Sequence, residues 1–278
     1  MTHRPSGAVD DRGMFFTLST EVLVVALLGT VLGATAVGLL IGRAIRARSD
    51  EPQDSFGVLQ GALLGFMALV VAFGLSLAVG RYENRRAATV TEATALGTTY
   101  LRAQTLAEPM RSESMALLEE YTDLGIRIAD VVPDSASERA AVADSEEVEQ
   151  ELWRLAGQAL DEAPEDSAPR LYVESLNESF DARVARVAGL SNRVPTPVLV
   201  VEVAGAALAL AVLGLHLAVL GRGAQVSLLA AVLVGLLLFV TFDLDRPTRG
   251  LITVPDKTLV NVHDRMQGEP AAAPPEGP

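Results

Sequence analysis

The sequence predicts an all-α integral membrane protein in which four transmembrane helices, two plus two, flank a helical cytoplasmic domain. Four apolar stretches carry this prediction, at residues 22–42, 58–80, 198–220 and 226–242. Each is close to the ~20 residues that a helix needs to cross a hydrocarbon core, and in lipid only a helix or a closed barrel satisfies its own backbone. The acidic segment between the pairs lacks strand-like alternation, so we expect helices there as well.

Composition excludes several classes of function. The chain has no cysteine, which rules out disulfides, thiol catalysis and cysteine metal sites. Its net charge of −13 is the opposite of the basic face that binds nucleic acid. The three histidines, His3, His216 and His263, are scattered and form no catalytic constellation. We therefore expect neither an enzyme nor a cofactor.

The first helix pair is assigned to residues 21–80, after an N-terminal tail at 1–20. A cleaved signal peptide is the alternative for the first stretch, but apolar residues continue to Ile45, beyond the ~7–15 residues of a signal core. Glycines four residues apart allow helix backbones to approach closely, in a tight bundle or an oligomer. These pairs are Gly29 and Gly33, Gly38 and Gly42, and Gly61 and Gly65.

Residues 81–195 are predicted to form an acidic helical cytoplasmic domain, with 22 Asp and Glu against 12 Arg. One helix is expected to continue from the second span towards Pro109, and three more to follow, with breaks at 132–134 and 163–169. Ser135 and Glu138 have the spacing of a capping box, which marks a helix start. The acidic runs are interpreted as solvated faces rather than a divalent-cation site, because their spacing is unlike an EF-hand loop.

Apolar side chains at helical spacing predict the buried faces of these four helices. They are Val90, Ala93, Leu96, Gly97 and Tyr100; Leu117, Leu118, Tyr121, Leu124 and Ile128; Val148, Leu152, Leu155 and Ala159; and Leu176, Phe180, Val184 and Val187.

The second helix pair is assigned to residues 196–245, joined by a tight turn at 221–225. A C-terminal segment at 246–268 follows, with a short helix at about 259–266. The Pro- and Ala-rich tail at 269–278 has little to bury and is predicted to be disordered.

Basic residues near the span ends predict the orientation in the cell inner or plasma membrane. With a cytoplasmic N-terminus, 11 of the Lys and Arg counted near the span ends fall on the cytoplasmic face and four on the other. Arg43, Arg46 and Arg48 oppose this orientation. The balance still favours both termini and the middle domain in the cytoplasm.

Two ionisable residues, Glu202 and His216, lie within the third stretch. A charge at the bilayer centre costs ~2.5–3.5 kcal/mol on insertion scales, which makes such residues functional candidates. They are 14 residues apart, thus ~21 Å along one helix, and cannot touch within it. Near-interface positions are favoured over a proton or ion site, with Glu202 paired to an arginine such as Arg193.

Three blocks of sequence resemble a known family. The second stretch ends in Phe73-Gly-Leu-Ser-Leu-Ala-Val-Gly-Arg-Tyr-Glu-Asn-Arg-Arg86. A second block is Glu92-Ala-Thr-Ala-Leu-Gly-Thr-Thr-Tyr-Leu-Arg102, and a third is Phe242-Asp-Leu-Asp-Arg-Pro247 followed by Gly250-Leu-Ile. This pattern, over roughly residues 56–254, resembles the bestrophin-like family of bacterial membrane proteins, which has no established function and is distantly similar to bestrophin ion channels.

Bestrophins are pentameric channels for anions or cations in which the second span lines the pore. The resemblance therefore implies a homo-oligomer with Leu69 and Phe73 at a hydrophobic constriction. Gly65 falls at a third position, where bestrophins usually carry a bulky side chain, and this departure argues against a narrow gate of three rings. From spacing alone, Phe66 and Phe73 would be assigned to packing inside the bundle or against lipid.

Charges at the span ends predict an ion-pair cluster at the inner membrane face. Arg81, Arg85 and Arg86 end the second stretch on the side where Asp243 and Asp245 end the fourth. Independent, solvated interface anchors are the alternative.

The resemblance favours an oligomeric channel that passes small ions across the lipid bilayer. The acidic domain would attract cations and repel anions, so the ion is left open. A non-conducting scaffold or sensor with a partner-binding cytoplasmic domain is the first alternative. A proton-coupled transporter that uses Glu202 is the second.

Overall fold

The structure, a computed structural model, describes residues 19–48, 56–131, 135–221, 224–248, 250–268 and 270. Within these residues the chain forms eight helices and no strand, which confirms the predicted all-α class. In chain order they are α1 (Thr20–Arg46), α2 (Phe56–Ala103), α3 (Met110–Asp130), α4 (Ala136–Glu162), α5 (Ser167–Ser191), α6 (Thr196–Val219), α7 (Ala224–Leu244) and α8 (Lys257–Met266). The predicted break at 132–134 and nearly all of both predicted tails lie outside the described residues.

Four segments are long and apolar enough to cross a membrane, and they include α1, α6, α7 and the first part of α2. The four predicted spans are thereby confirmed. As predicted, α2 continues without interruption well past its apolar stretch, over 48 residues to Ala103. The length and composition of these helices are those of a multi-pass membrane protein.

The chain divides into two compact units. The described residues within 1–80 and 193–253 form one, which we call the span unit, and those within 81–192 and 254–278 form the other, which we call the acidic unit. Helix α2 contributes residues to both. Helix α8 belongs to the acidic unit, an assignment that the sequence did not predict.

In the span unit, α1 and α6 pack with their backbones in close contact. A Cβ added to Gly38 would lie 1.9 Å from the carbonyl oxygen of Ala211, and one on Gly42 would lie 2.4 Å from that of Leu215. Only glycine permits this approach. The other predicted glycine pairs, in α1 and α2, have no atom within 4 Å of an added Cβ.

The acidic unit has an apolar core built from α2, α3, α4, α5 and α8. Ser135 caps α4, because its hydroxyl accepts the N–H of Glu138 at 3.0 Å, and this confirms the predicted helix start. The break before α5 is shorter than predicted. Helix α5 begins at Ser167, so Pro169 lies in its first turn, where a backbone N–H has no helical partner to lose.

Candidate functional site

The two faces of α2 within the span unit differ sharply in burial. Met67, Val71, Gly74 and Ala78 are buried and follow one another at helical spacing. Phe66, Leu69 and Phe73 lie on the opposite face and are 61%, 52% and 63% exposed. Gly65 is exposed beside them. The three predicted pore-lining residues, Gly65, Leu69 and Phe73, therefore share one exposed, charge-free face of a single helix.

The packed face of α2 meets α6 at three levels, and a glycine takes part in each. An added Cβ on Gly57 would lie 3.7 Å from Cε1 of His216, and one on Gly205 would lie 2.4 Å from Sδ of Met67. At the third level an added Cβ on Gly74 would lie 1.3 Å from Oε1 of Glu202. Both ionisable residues of α6 therefore point at α2. An apolar cleft of about 410 Å³ lies in the same unit, lined by side chains of α2, α6 and α7.

Glu202 is fully buried, and neither of its carboxyl oxygens has a hydrogen-bond partner among the described residues. The expected pairing of this carboxyl with an arginine such as Arg193 is therefore wrong. The Glu202 carboxyl instead occupies the position beside Gly74 where any larger residue would carry its Cβ. His216 is partly buried, near the end of α6, in agreement with a position close to the membrane interface.

The two aspartates at the end of α7 hold backbone segments in place. The carboxylate oxygens of Asp243 accept the N–H groups of Leu251 and Ile252, both at 2.9 Å. Those of Asp245 accept the N–H of Val194 at 2.9 and 3.1 Å. A Cβ on Gly250 would lie 2.7 Å from the carbonyl oxygen of Asp243, so the chain needs a glycine there. These contacts give a physical reason for the third sequence block.

The three arginines after Gly80 differ in their surroundings. Arg85 is buried, and it donates to the carbonyl oxygens of Gly189 at 3.1 Å and Asn192 at 2.6 Å. Arg81 donates to the side-chain oxygen of Asn192. Arg86 is exposed and lies 3.8 Å from Glu83. Their pairing with Asp243 and Asp245 stays a prediction.

Sequence reasoning missed a buried charge network inside the acidic unit. Glu92 on α2 pairs with Arg183 and Arg186 on α5, and all three side chains are almost completely buried. Arg183 also donates to the hydroxyl of Ser145 at 2.9 Å and to the carbonyl oxygen of Tyr121 at 2.7 Å, and its guanidinium lies 3.8 Å from the centre of the Tyr121 ring.

The buried face of α5 accordingly differs from the predicted apolar stripe. Val184, which was expected to be buried, is 64% exposed, whereas its neighbours Arg183 and Arg186 are enclosed. A signal for the network was present on α2. Arg85, Thr89 and Glu92 precede Leu96 at the same three- and four-residue spacing and are buried with it, so the polar residues continue the apolar stripe.

The acidic unit also has an open groove of about 480 Å³ between α2 and α8. Its floor includes Gly97, Val262 and Tyr100. The Tyr100 hydroxyl donates to the carbonyl oxygen of Met266 at 2.6 Å, and burial with the nearby Glu119 carboxylate raises its pKa to about 12. Within the described part of the chain, no group of His, Asp and Glu side chains is arranged to hold a metal ion.

The model of the bestrophin-like domain matches residues 25–259 of this chain. This chain belongs to the bestrophin-like family. The predicted resemblance is thereby confirmed over most of the sequence. No curated protein matches it.

Solved structures support the same fold for this bestrophin-like protein. Crystal structures of two single-substitution variants of a bacterial bestrophin homolog from Klebsiella pneumoniae are similar to it, with TM-scores of 0.66 and 0.63. The alignments cover 87% and 85% of this chain and 97% of the homolog, at 15% identity in both cases. At that identity the likeness shows a bestrophin fold.

Proposed function

We propose that this bestrophin-like protein is a homo-oligomeric ion channel of the cell inner membrane, in which α2 of each copy faces the pore. The observation that carries the proposal is the uncovered face of α2, where Leu69 and Phe73 lie one turn apart and opposite the packed face. A single copy has four transmembrane helices, which are too few to surround a water-filled pore. In an oligomer, several copies of α2 around an axis would place this face at the pore, where its apolar side chains would form a hydrophobic ring. Such a ring can gate conduction by dewetting.

Lipid contact is the competing explanation for the same face. Large apolar side chains are also exposed on the other spans, for example Leu208 on α6 and Leu229 on α7. Exposure alone therefore does not distinguish a pore from a lipid surface. The family membership favours the pore.

The test is ion flux from liposomes that contain the purified protein. Phe73→Ala is expected to raise the flux several-fold, because a smaller side chain widens and wets the constriction. Leu208→Ala is the matched control, since Leu208 is 60% exposed against 63% for Phe73. It is expected to leave the flux unchanged. If wild type and Phe73→Ala are both folded and oligomeric but show no flux of any small ion tested, the channel proposal fails.

The ion pairs predicted at the inner membrane face belong to the same proposal. The positive-inside bias supports an arrangement with both termini and the acidic unit in the cytoplasm, with Arg81, Arg85 and Arg86 near Asp243 and Asp245. A double-mutant cycle on Arg81 and Asp243 is expected to show a coupling of about 0.5–3 kcal/mol, the range for residues in one network. A coupling of zero would mean that the two residues act as independent anchors.

A non-conducting scaffold is the alternative function. The groove between α2 and α8 in the acidic unit favours it, because an open and largely apolar groove is where a partner segment can bind. If neither the wild type nor Phe73→Ala passes any ion in the flux test, this alternative is supported.

A further inference from the structure

Glu202 combines burial with the absence of any partner. Its side chain has 0% exposure, and both carboxyl oxygens are buried without a hydrogen bond within the described residues. An ionised carboxylate in such a place lacks both the water and the counter-charge that would stabilise it, so the neutral, protonated acid is the form compatible with this packing.

The helices around Glu202 offer no counter-charge at its level. In the described parts of α1, α2 and α7, charged residues occur only towards the helix ends or beyond the apolar stretches. The spans between them, residues 22–42, 57–80 and 224–242, contain none, and α6 itself adds only His216. The charged residues of the described chain that flank these spans and α6 are Glu21, Arg43, Arg46, Arg48, Arg81, Arg193, Asp243, Asp245 and Arg246.

The contact between Glu202 and Gly74 couples this acid to α2. The carboxyl lies where a side chain at Gly74 would be, and Gly74 follows Phe73 directly in the chain. A carboxylate at this point needs solvation, which the packed helices do not provide. Ionisation therefore requires that α6 separates from α2 beside Phe73 or that the carboxyl turns away from Gly74, and either change alters the packing of α6 on α2.

We propose that Glu202 is a proton-binding site within the membrane, whose occupancy sets how closely α6 packs on α2 and thereby the width of the constriction at Phe73. The proton-binding part stands on the burial of Glu202 and its contact with Gly74. The effect on the constriction rests on the proposed channel function.

The first test is infrared spectroscopy of the full-length protein in lipid at neutral pH. A protonated carboxylic acid has a carbonyl stretch of its own, above the amide bands. We expect such a band in the wild type, and its loss in Glu202→Gln. Glu83→Gln, which changes an exposed acid on the same chain, is expected to keep it. Isotope labelling of the glutamate carboxyl carbons should shift the band in the wild type, which shows that the band comes from a glutamate, and its loss in Glu202→Gln then assigns it to Glu202.

A wild-type spectrum without this band, or a band that survives in Glu202→Gln, would overturn the proton-binding site. The second test is flux against pH. We expect wild-type flux to rise several-fold as the pH is raised, and Glu202→Gln to stay at the low-pH value. Equal pH profiles for the two proteins would overturn the coupling to α2. If the band is present but neither protein conducts at any pH, the channel proposal fails and the proton-binding site remains.

Discussion

Two buried glutamates, one in each unit, show opposite ways of placing an acid inside a protein. In the acidic unit, Glu92 is fully buried and pairs with Arg183 and Arg186, so that one carboxylate lies between two guanidiniums. In the span unit, Glu202 is equally buried but has neither a counter-charge nor a hydrogen bond among the described residues. The first site is compatible with an ionised acid and the second with a neutral one.

The difference indicates what each acid contributes. Burial of a charge costs free energy that only counter-charges and hydrogen bonds can offset. Around Glu92 this requirement joins α2 and α5, and through Arg183 also α3 and α4. Within the described part of the chain, Glu202 makes no polar contact that could hold two helices together, so its contribution lies in its shape and in its capacity to bind a proton.

The largest expected effect is the loss of stability on Glu92→Gln. The substitution keeps the shape of the side chain but leaves two buried guanidiniums without a counter-charge, which should cost about 3–5 kcal/mol. In contrast, Glu202→Gln replaces a neutral acid with a neutral amide of the same shape and is expected to leave stability nearly unchanged. Thermal unfolding of the purified protein in detergent measures both effects.

Glu83→Gln is the control, since Glu83 is exposed and lies 3.8 Å from Arg86 in a surface pair of little weight. If Glu202→Gln lowered the unfolding temperature as much as Glu92→Gln, the two acids would not differ in the way that the structure indicates. That result would mean that Glu202 is ionised and stabilised by a counter-charge.

The contrast between the two acids also explains what the sequence predicted well. The spans and most helices were predictable because apolar length and periodicity are local properties, as at Ser135, where a capping pattern marks the start of α4. The surroundings of a charge are not local. Glu92 and Arg183 are far apart in the chain, so their pairing was missed, and Val184 was assigned to a buried face that Arg183 and Arg186 occupy.

The same limit applies to the span unit. An acid one turn into an apolar helix is visible in the sequence, but its neighbour is not. The sequence favoured an arginine partner for Glu202, whereas the structure places Gly74 there. The pore-lining candidates Leu69 and Phe73 came from the family resemblance, and the structure adds that they share the uncovered face of α2.

An intermediate effect is expected from Gly74→Ala. An added Cβ would lie 1.3 Å from Oε1 of Glu202, so α2 and α6 must move apart or the carboxyl must turn away, at a cost of about 1–3 kcal/mol. Removing the carboxyl in Glu202→Ala should restore part of this loss in the double variant. Thermal unfolding of the four proteins gives the coupling.

Gly65→Ala is the matched control on the same helix, because no atom lies within 4 Å of its added Cβ. A Gly74→Ala protein as stable as Gly65→Ala would show that Glu202 does not pack tightly on α2. Glu202 would then no longer be an acid that is held by close packing, and its contrast with the charge-paired Glu92 would not hold.

The smallest effect is expected from Tyr121→Phe, which changes the surroundings of Arg183 rather than its counter-charge. The Tyr121 hydroxyl donates to Glu149 at 2.6 Å, and the Tyr121 ring faces the Arg183 guanidinium at 3.8 Å and packs edge-to-face on Phe180. Burial raises the pKa of this hydroxyl, so it stays a donor at neutral pH. Tyr121→Phe removes only the hydrogen bond and should cost about 0.5–1.5 kcal/mol. Tyr121→Leu also removes the aromatic face and should cost about 0.5–2 kcal/mol more. Thermal unfolding of the two variants separates these contributions, and equal losses would show that the ring adds nothing to the stability of the buried arginine.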